Sequence, residues 1–282
     1  MKYAFFDLDG TLIPVDSSIL WAETLLSHVG KDEKQLRAER IQYDVDYKNG
    51  CLDINKFEDF EMKLLARFPR RELDELRVQY LKRDIMPHVL PIAVDLVKKY
   101  REAGARVVMI TASYRYAVEP IAELFGIRDL ICAEPDEKPD GEFTGRWISE
   151  NFAAQKVVNA ERFIQKCGGS TADLKESAFF SDSMNDFPLL DHVARHGGKT
   201  VATNPDDRVR STAQEGHCEI LGLCSDHKLF QELCPCGVRD LVKVEEGFKA
   251  NVPTKIRKRA HIVPREENGI DLSGVSPFAI SV

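Results

Sequence analysis

Nowhere does the 282-residue sequence approach the ~20 consecutive apolar positions that a membrane-spanning helix needs; apolar runs such as Val107-Val108-Met109-Ile110 stop far short. The N-terminus also lacks the pattern of a secretory signal, because Asp7 and Asp9 interrupt it before an apolar segment can form. A chain with no membrane partner and a cytoplasmic location is therefore expected. There are no internal repeats, which excludes solenoid architectures. Positive charge is not in excess: 39 Lys and Arg stand against 46 Asp and Glu, a net charge of −7, so nucleic acid is not expected as the main partner. The cysteines number seven, an odd count, and with no export signal reduced thiols are expected rather than a disulfide framework.

What is present is ordinary for a globular protein. Hydrophobic residues make up 43% and charged residues 30%, which excludes collagen-like, coiled-coil and wholly disordered chains. At ~150 residues per domain the length suggests two domains, or one domain with a large insertion. Tyr3-Ala-Phe-Phe-Asp-Leu-Asp-Gly10 reads as a short buried strand ending in a polar turn. From about residue 16 to 84 the spacing changes to helical: Ile19, Leu20, Trp21, Leu25 and Leu26 share a face, and Phe57, Phe60, Leu64 and Leu65 repeat at the same spacing. An α/β section follows. Helices are expected over 90–100, 114–125 and 155–166, and strands over 106–111, 130–133, 177–181 and 199–203, with a turn and edge hairpin around Gly141–Gly145. This alternation predicts an α/β fold, a Rossmann-like parallel sheet with helices on both faces. From about residue 225 the chain carries nine basic and eight acidic residues and reads as an extension, with basic charge concentrated between Lys255 and Arg265.

Ligands of parallel sheets lie at the carboxyl ends of the strands, and three strands here end near polar residues: Asp7, Thr111 and Asp182. Asp7 and Asp9 sit two apart, so both side chains face one side of an extended segment. One carboxylate suits a nucleophile that attacks phosphorus, and the other suits a proton donor whose pKa its neighbour raises. Gly10 and Thr11 are expected to form a tight turn with backbone N–H groups free for phosphate. Asp7, the Asp9 carbonyl and Asp182 are hard oxygen ligands suited to Mg²⁺, with Asp186 beside them and Asn185 between. Thr111 offers a hydroxyl, Ala112 after it an N–H, and Lys156 a compact positive charge for the phosphoryl group.

In this order Asp7-Leu-Asp-Gly-Thr-Leu12, Thr111 in Ile-Thr-Ala-Ser, Lys156, and Asp182-Ser-Met-Asn-Asp186 resemble the haloacid dehalogenase superfamily of phosphatases over about residues 3–224. The resemblance implies Mg²⁺ dependence and an aspartyl-phosphate intermediate on Asp7, with Asp9 as acid/base and Asp182, supported by Asp186, on the metal. About a hundred mostly helical residues separate the first two motifs, and only 45 separate Thr111 from Lys156. That spacing looks like the phosphoserine-phosphatase-like branch, with a catalytic core of 1–13 and 87–224 and a helical cap of 14–86. The stretches around Phe143–Arg146, Phe180–Leu190 and Val201–Asp206 look most similar to a bacterial group related to histidinol-phosphate phosphatases. There are two departures from the pattern. Ser181 stands where many relatives have Gly. Asp16 stands where phosphoserine phosphatases carry a Glu that reads the substrate amine.

The expected activity is release of phosphate from a small phosphate monoester, with histidinol phosphate slightly favoured over phosphoserine. Transfer to an alcohol acceptor, or a non-catalytic binding role that uses the basic tail, are the alternatives. Asp16 reads equally well as the N-cap of a helix starting near Ser17. His217, Cys218, Cys224, His227, Cys234 and Cys236 do not follow a standard zinc spacing, so incidental thiols fit better than a metal centre. The oligomeric state is not encoded in any of these patterns.

Overall fold

The computed structural model describes residues 1–205, 210 and 218–223. Seven strands form one sheet in the order β4-β3-β2-β1-β5-β6-β7. They are β1 (Tyr3–Phe6), β2 (Arg106–Tyr114), β3 (Asp129–Glu137), β4 (Phe143–Ser149), β5 (Ala178–Ser181), β6 (Lys199–Thr203) and β7 (Glu219–Leu221). Every neighbouring pair is parallel except the β3–β4 hairpin. Phe6 aligns with Met109 of β2 on one side and with Phe180 of β5 on the other. The chain therefore winds outward in one direction through β2 and β3, returns past β1, and winds the other way through β5, β6 and β7. The carboxyl end of β1 is the point at which the winding reverses, where a crevice opens.

Alternation along the strands explains why the sheet is buried on both faces. Ala4, Phe6, Met109 and Phe180 point to one side and join a large core with the helices α1 (Ser17–Leu26), α3 (Ile54–Leu65), α4 (Arg70–Tyr80), α5 (Pro91–Glu102) and α6 (Arg115–Leu124). Tyr3, Phe5, Val108, Ile110 and Phe179 point to the other side, against α7 (Gln155–Lys166) and α8 (Phe187–Arg195). Between α1 and α3 lies α2 (Glu33–Lys48). The apolar faces of the helices between β1 and β2 are continuous with the sheet core, with Trp21 of α1 against Tyr80 of α4 and Tyr116 of α6.

One contact fixes α4 on α6. Pro120 lies inside α6 and cannot donate to the carbonyl four residues earlier, that of Tyr116. Arg77 of α4 donates to that carbonyl at 3.1 Å, and its guanidinium lies 4.0 Å from the Tyr116 ring centroid.

Most expected elements are present, and α7 has the bounds read from the sequence. Two strands run further than expected. β2 continues to Tyr114, and its pairing with β3 lapses between Ile110 and Tyr114, where the two polar residues Thr111 and Ser113 alternate with small or aromatic ones. β3 continues to Glu137 because it pairs with β4. The basic stretch 255–265 and all the cysteines and histidines of the zinc question except Cys218 lie outside the described residues; Cys51, Cys132, Cys167 and Cys218 are free thiols. No helix among the described residues is long and apolar enough to cross a membrane.

Candidate active site

β1 ends at Phe6, and the next residue delivers its carboxylate to the crevice. Asp7 is 6% exposed and its amide donates to the Phe180 carbonyl at 2.9 Å, so the backbone still follows the sheet. Lys156, in the first turn of α7, places Nζ 2.9 Å from Asp7 Oδ1 and 2.7 Å from Asp186 Oδ1. Ser181 donates to Asp186 Oδ2 at 2.7 Å. Asp186 therefore has its oxygens committed to the lysine and the serine, and it acts on the site by holding Lys156 in place. Ser181, where a glycine was the alternative, has a defined task in this arrangement.

The turn after Asp7 depends on Gly10, whose φ is +75°; an added Cβ would lie 2.1 Å from Asp182 Oδ2. A side chain there would displace the Asp182 carboxylate, so the glycine allows both the left-handed backbone and the close approach. The Thr11 hydroxyl lies 3.3 Å from Asp7 Oδ2 and 3.2 Å from Asp182 Oδ1, and accepts from the Asp182 amide at 3.0 Å. It ties the end of β1 to the end of β5. The expectation that the Thr11 N–H is free for phosphate is corrected: it donates to the Leu8 carbonyl at 3.2 Å, because the turn closes on itself.

Asp9 points elsewhere. Its carboxylate accepts from Ser17 N at 2.7 Å, Ser17 Oγ at 3.0 Å and Ser113 Oγ at 3.0 Å. Removal from water, with Asp16 and then Asp7 adding repulsion, raises Asp9 to about 8. Asp7 is raised by burial to about 6, against the opposing pull of Lys156. Two carboxyls two residues apart thus have different partners and different acidities.

Thr111 is buried, its hydroxyl accepts from Ser113 N at 3.1 Å, and it lies with Ala112 in the irregular part of β2. Asn151 holds that stretch in place by donating to the carbonyls of Thr111 (2.8 Å) and Ile131 (3.1 Å). Asn185 has its amide on Ser183 Oγ, and Tyr47 of α2 reaches the same loop at Ser183 and Asn185. Asp16 caps α1, its Oδ1 accepting from Ile19 N at 2.9 Å, with Arg40 and Asp44 as charged neighbours.

Several supporting residues were not singled out in the sequence. Asn204, after β6, donates to the Gly10 carbonyl at 2.9 Å and the Thr11 carbonyl at 3.3 Å, and accepts from Leu223 N at 2.8 Å. Ser17, Ser113 and Asn151 are likewise short polar residues whose partners lie far away in sequence. The only available signal was their position: Ser113 two residues beyond Thr111, and Asn204 directly after a strand.

The donor set fits a magnesium ion. Asp7 and Asp182 converge on one hydroxyl, and burial together with Asp7 and Asp186 pushes Asp182 well above the usual carboxylate range. The one lysine between them is shared with Asp186, so negative charge is in excess and every donor is a hard oxygen. Among the described residues no three acidic, histidine or cysteine side chains form a metal cage by themselves. A surface hollow of about 660 Å³ lined by Lys175, Glu176, Gly198 and Lys199 lies beside the starts of β5 and β6, at the opposite end of the strands.

Sheet, switch point and strand-end carboxylates describe an α/β protein whose crevice presents buried carboxylates and a buried lysine. The family of haloacid dehalogenase-like hydrolases matches residues 4–191, and the chain belongs to it. Similar proteins place it in the phosphatase branch. A histidinol-phosphatase of Neisseria meningitidis is 32% identical over 219 residues, covering 77% of this chain and 97% of that one. A phosphoserine phosphatase of Mycobacterium tuberculosis is 28% identical, over 77% of this chain and 69% of its own. Among solved structures, a protein of unknown function from Bordetella pertussis superposes with a TM-score of 0.73 at 32% identity, over 79% of this chain and 98% of that one. A substrate-bound phosphoserine phosphatase, at 17% identity and a TM-score of 0.55 over 78% of this chain and 92% of that one, shares the fold.

Proposed function

We propose that the protein is a Mg²⁺-dependent phosphomonoesterase that acts on a small phosphorylated metabolite through an aspartyl-phosphate on Asp7. The observation that carries this reading is the division of labour between the two carboxylates. Asp7 lies against Lys156 and Thr11 at the switch point, and Asp9 lies on the separate hydroxyls of Ser17 and Ser113.

An Asp7 oxygen attacks phosphorus as the ester P–O bond breaks, and protonated Asp9 gives its proton to the departing alkoxide. Asp9, now a base, takes a proton from the water that attacks the acyl phosphate. Phosphate leaves and Asp7 is regenerated. Lys156 and the Thr111–Ala112 stretch hold the phosphoryl oxygens, and Asp186 keeps the lysine in place. A bound Mg²⁺, held by Asp7, Asp182 and the Asp9 carbonyl, would supply positive charge between nucleophile and phosphate. The helices from α1 to α4 serve as the cap that covers the leaving group. The histidinol-phosphatase relative supports histidinol phosphate as the substrate, with phosphoserine as the competitor.

The test is phosphate release from a panel of phosphate monoesters, with Mg²⁺ and with EDTA, for wild type and Asp7→Asn. Release that requires both Mg²⁺ and Asp7 is the expected result. Turnover retained in Asp7→Asn would rule out the covalent route, and turnover undiminished in EDTA would rule out the metal.

A further inference from the structure

Two carboxylates in the cap helices have no task in the chemistry above. Glu58 and Glu61, three apart on α3, are 3% and 1% exposed. A carboxylate is almost never buried without a counterion. Glu61 has an ion pair with Arg40 Nε at 3.1 Å, and no other described residue gives its carboxylate a cation. Glu58 has less still. Its charged neighbours are Glu61 and Glu150, both acids, and no described residue offers it a cation or a donor. Burial and these neighbours raise Glu58 to about 8 and, with Asp16 and Asp44 adding repulsion against Arg40, Glu61 to about 7.

Contacts tie the pair to the reaction centre. Arg40, paired with Glu61 at 3.1 Å, donates to Ser18 Oγ at 3.3 Å, and the adjacent Ser17 donates through its N and Oγ to Asp9. Glu58 lies one turn before Glu61 on α3. A series of contacts thus leads from the proton donor into the helices that would cover the leaving group.

Arg40 is the single described cation in this series, and its guanidinium is fully engaged. Nε meets Glu61, one terminal nitrogen is paired with Asp44, the other donates to Ser18 Oγ at 3.3 Å, and the group lies 5.1 Å from the Phe57 ring centroid. No fork is left for a substrate carboxylate. Asp16, Asp44, Glu58 and Glu61 against Arg40 leave three negative charges in excess when all are ionised. Resting on the phosphatase reading, we propose that Glu58 and Glu61 form a subsite for the leaving group. It selects phosphate monoesters whose alcohol carries two basic nitrogens and no carboxylate, such as an amine together with an imidazole.

The experiment compares histidinol phosphate, phosphoserine and phenyl phosphate on wild type, Glu58→Gln and Asp59→Asn in the full chain with Mg²⁺. Asp59, on the same helix, is exposed and pairs with Lys63. Wild type is expected to favour histidinol phosphate over phosphoserine by at least ~10-fold in kcat/KM, about 1.4 kcal/mol. Glu58→Gln is expected to lower the ratio of kcat/KM for histidinol phosphate to that for phenyl phosphate by ~10-fold, mainly through KM, and to weaken inhibition by L-histidinol similarly. Asp59→Asn leaves that ratio in place. A merely structural Glu58 would lower both substrates together and keep the ratio, and that result overturns the subsite while leaving the phosphatase reading intact. A wild-type preference for phosphoserine overturns it too. Failure of wild type to release phosphate from any of the three brings down both readings.

Discussion

Replacing Glu58 by glutamine should stabilise the protein, by an amount that depends on pH. An ordinary glutamate titrates at 4.5, whereas burial beside Glu61 and Glu150 holds this one at about 8. Between those values the fold retains a proton that the unfolded chain has released, so stability falls as pH rises through the window. At ~1.4 kcal/mol per pH unit, Glu58 costs about 3 kcal/mol at pH 7 and on the order of 4–5 kcal/mol once it is ionised in both states. Glutamine of the same shape carries no such cost. The assay is thermal unfolding of wild type and Glu58→Gln from pH 4.5 to 8.5 at fixed ionic strength in EDTA. The other titrating groups are common to both proteins and cancel in the difference, except Glu61, which the loss of its charged neighbour shifts in the same stabilising direction. The difference should be near zero at the acid end, widen with pH and level off above about pH 8. For a chain of this size a few kcal/mol is roughly 10 °C in Tm. A difference that is constant with pH, or a variant less stable than wild type at pH 8, would refute the reasoning that Glu58 is buried without a partner. A destabilising residue that is nonetheless present is the signature of a site where stability is sacrificed for recognition.

Other perturbations have equally definite outcomes. Lys156→Met leaves Asp7 and Asp186 buried without their shared cation, and should lower stability by ~3–5 kcal/mol in denaturant titration as well as abolish turnover; a loss under ~1 kcal/mol would contradict the buried pairing. Gly10→Ala drives a methyl group into the Asp182 carboxylate in a left-handed backbone, so Mg²⁺ dependence of turnover should shift to at least ~10-fold higher concentration, a loss of about 1.4 kcal/mol in metal binding. Asn204→Ala removes the partners of the Gly10 and Thr11 carbonyls and of Leu223 N. It should cost about 3 kcal/mol by chemical denaturation, since each buried group left unpaired costs ~1–3 kcal/mol.

By itself the sequence determined the sheet's inner strands and the groups at their ends. Their apolar runs, the glycine after Asp9 and the two-residue spacing of Asp7 and Asp9 are local signals, and local signals are what periodicity and turn chemistry can read. The same holds for α7, whose amphipathic repeat fixes its bounds and places Lys156 in its first turn. Tertiary structure decided where the polar residues find their partners. Ser17, Ser113, Asn151 and Asn204 are unremarkable until the sheet brings the ends of its strands together. Asp186, one of a pair of candidate metal ligands in the sequence, is committed to a lysine 30 residues away. The sharpest case is α3. Its apolar repeat puts Phe57, Phe60, Leu64 and Leu65 on one face, and that pattern carries no signal for the glutamates between them. Only the packing of α3 over β4 and Tyr114 removes Glu58 and Glu61 from water, because a helix's own sequence does not record what lies across from its polar positions.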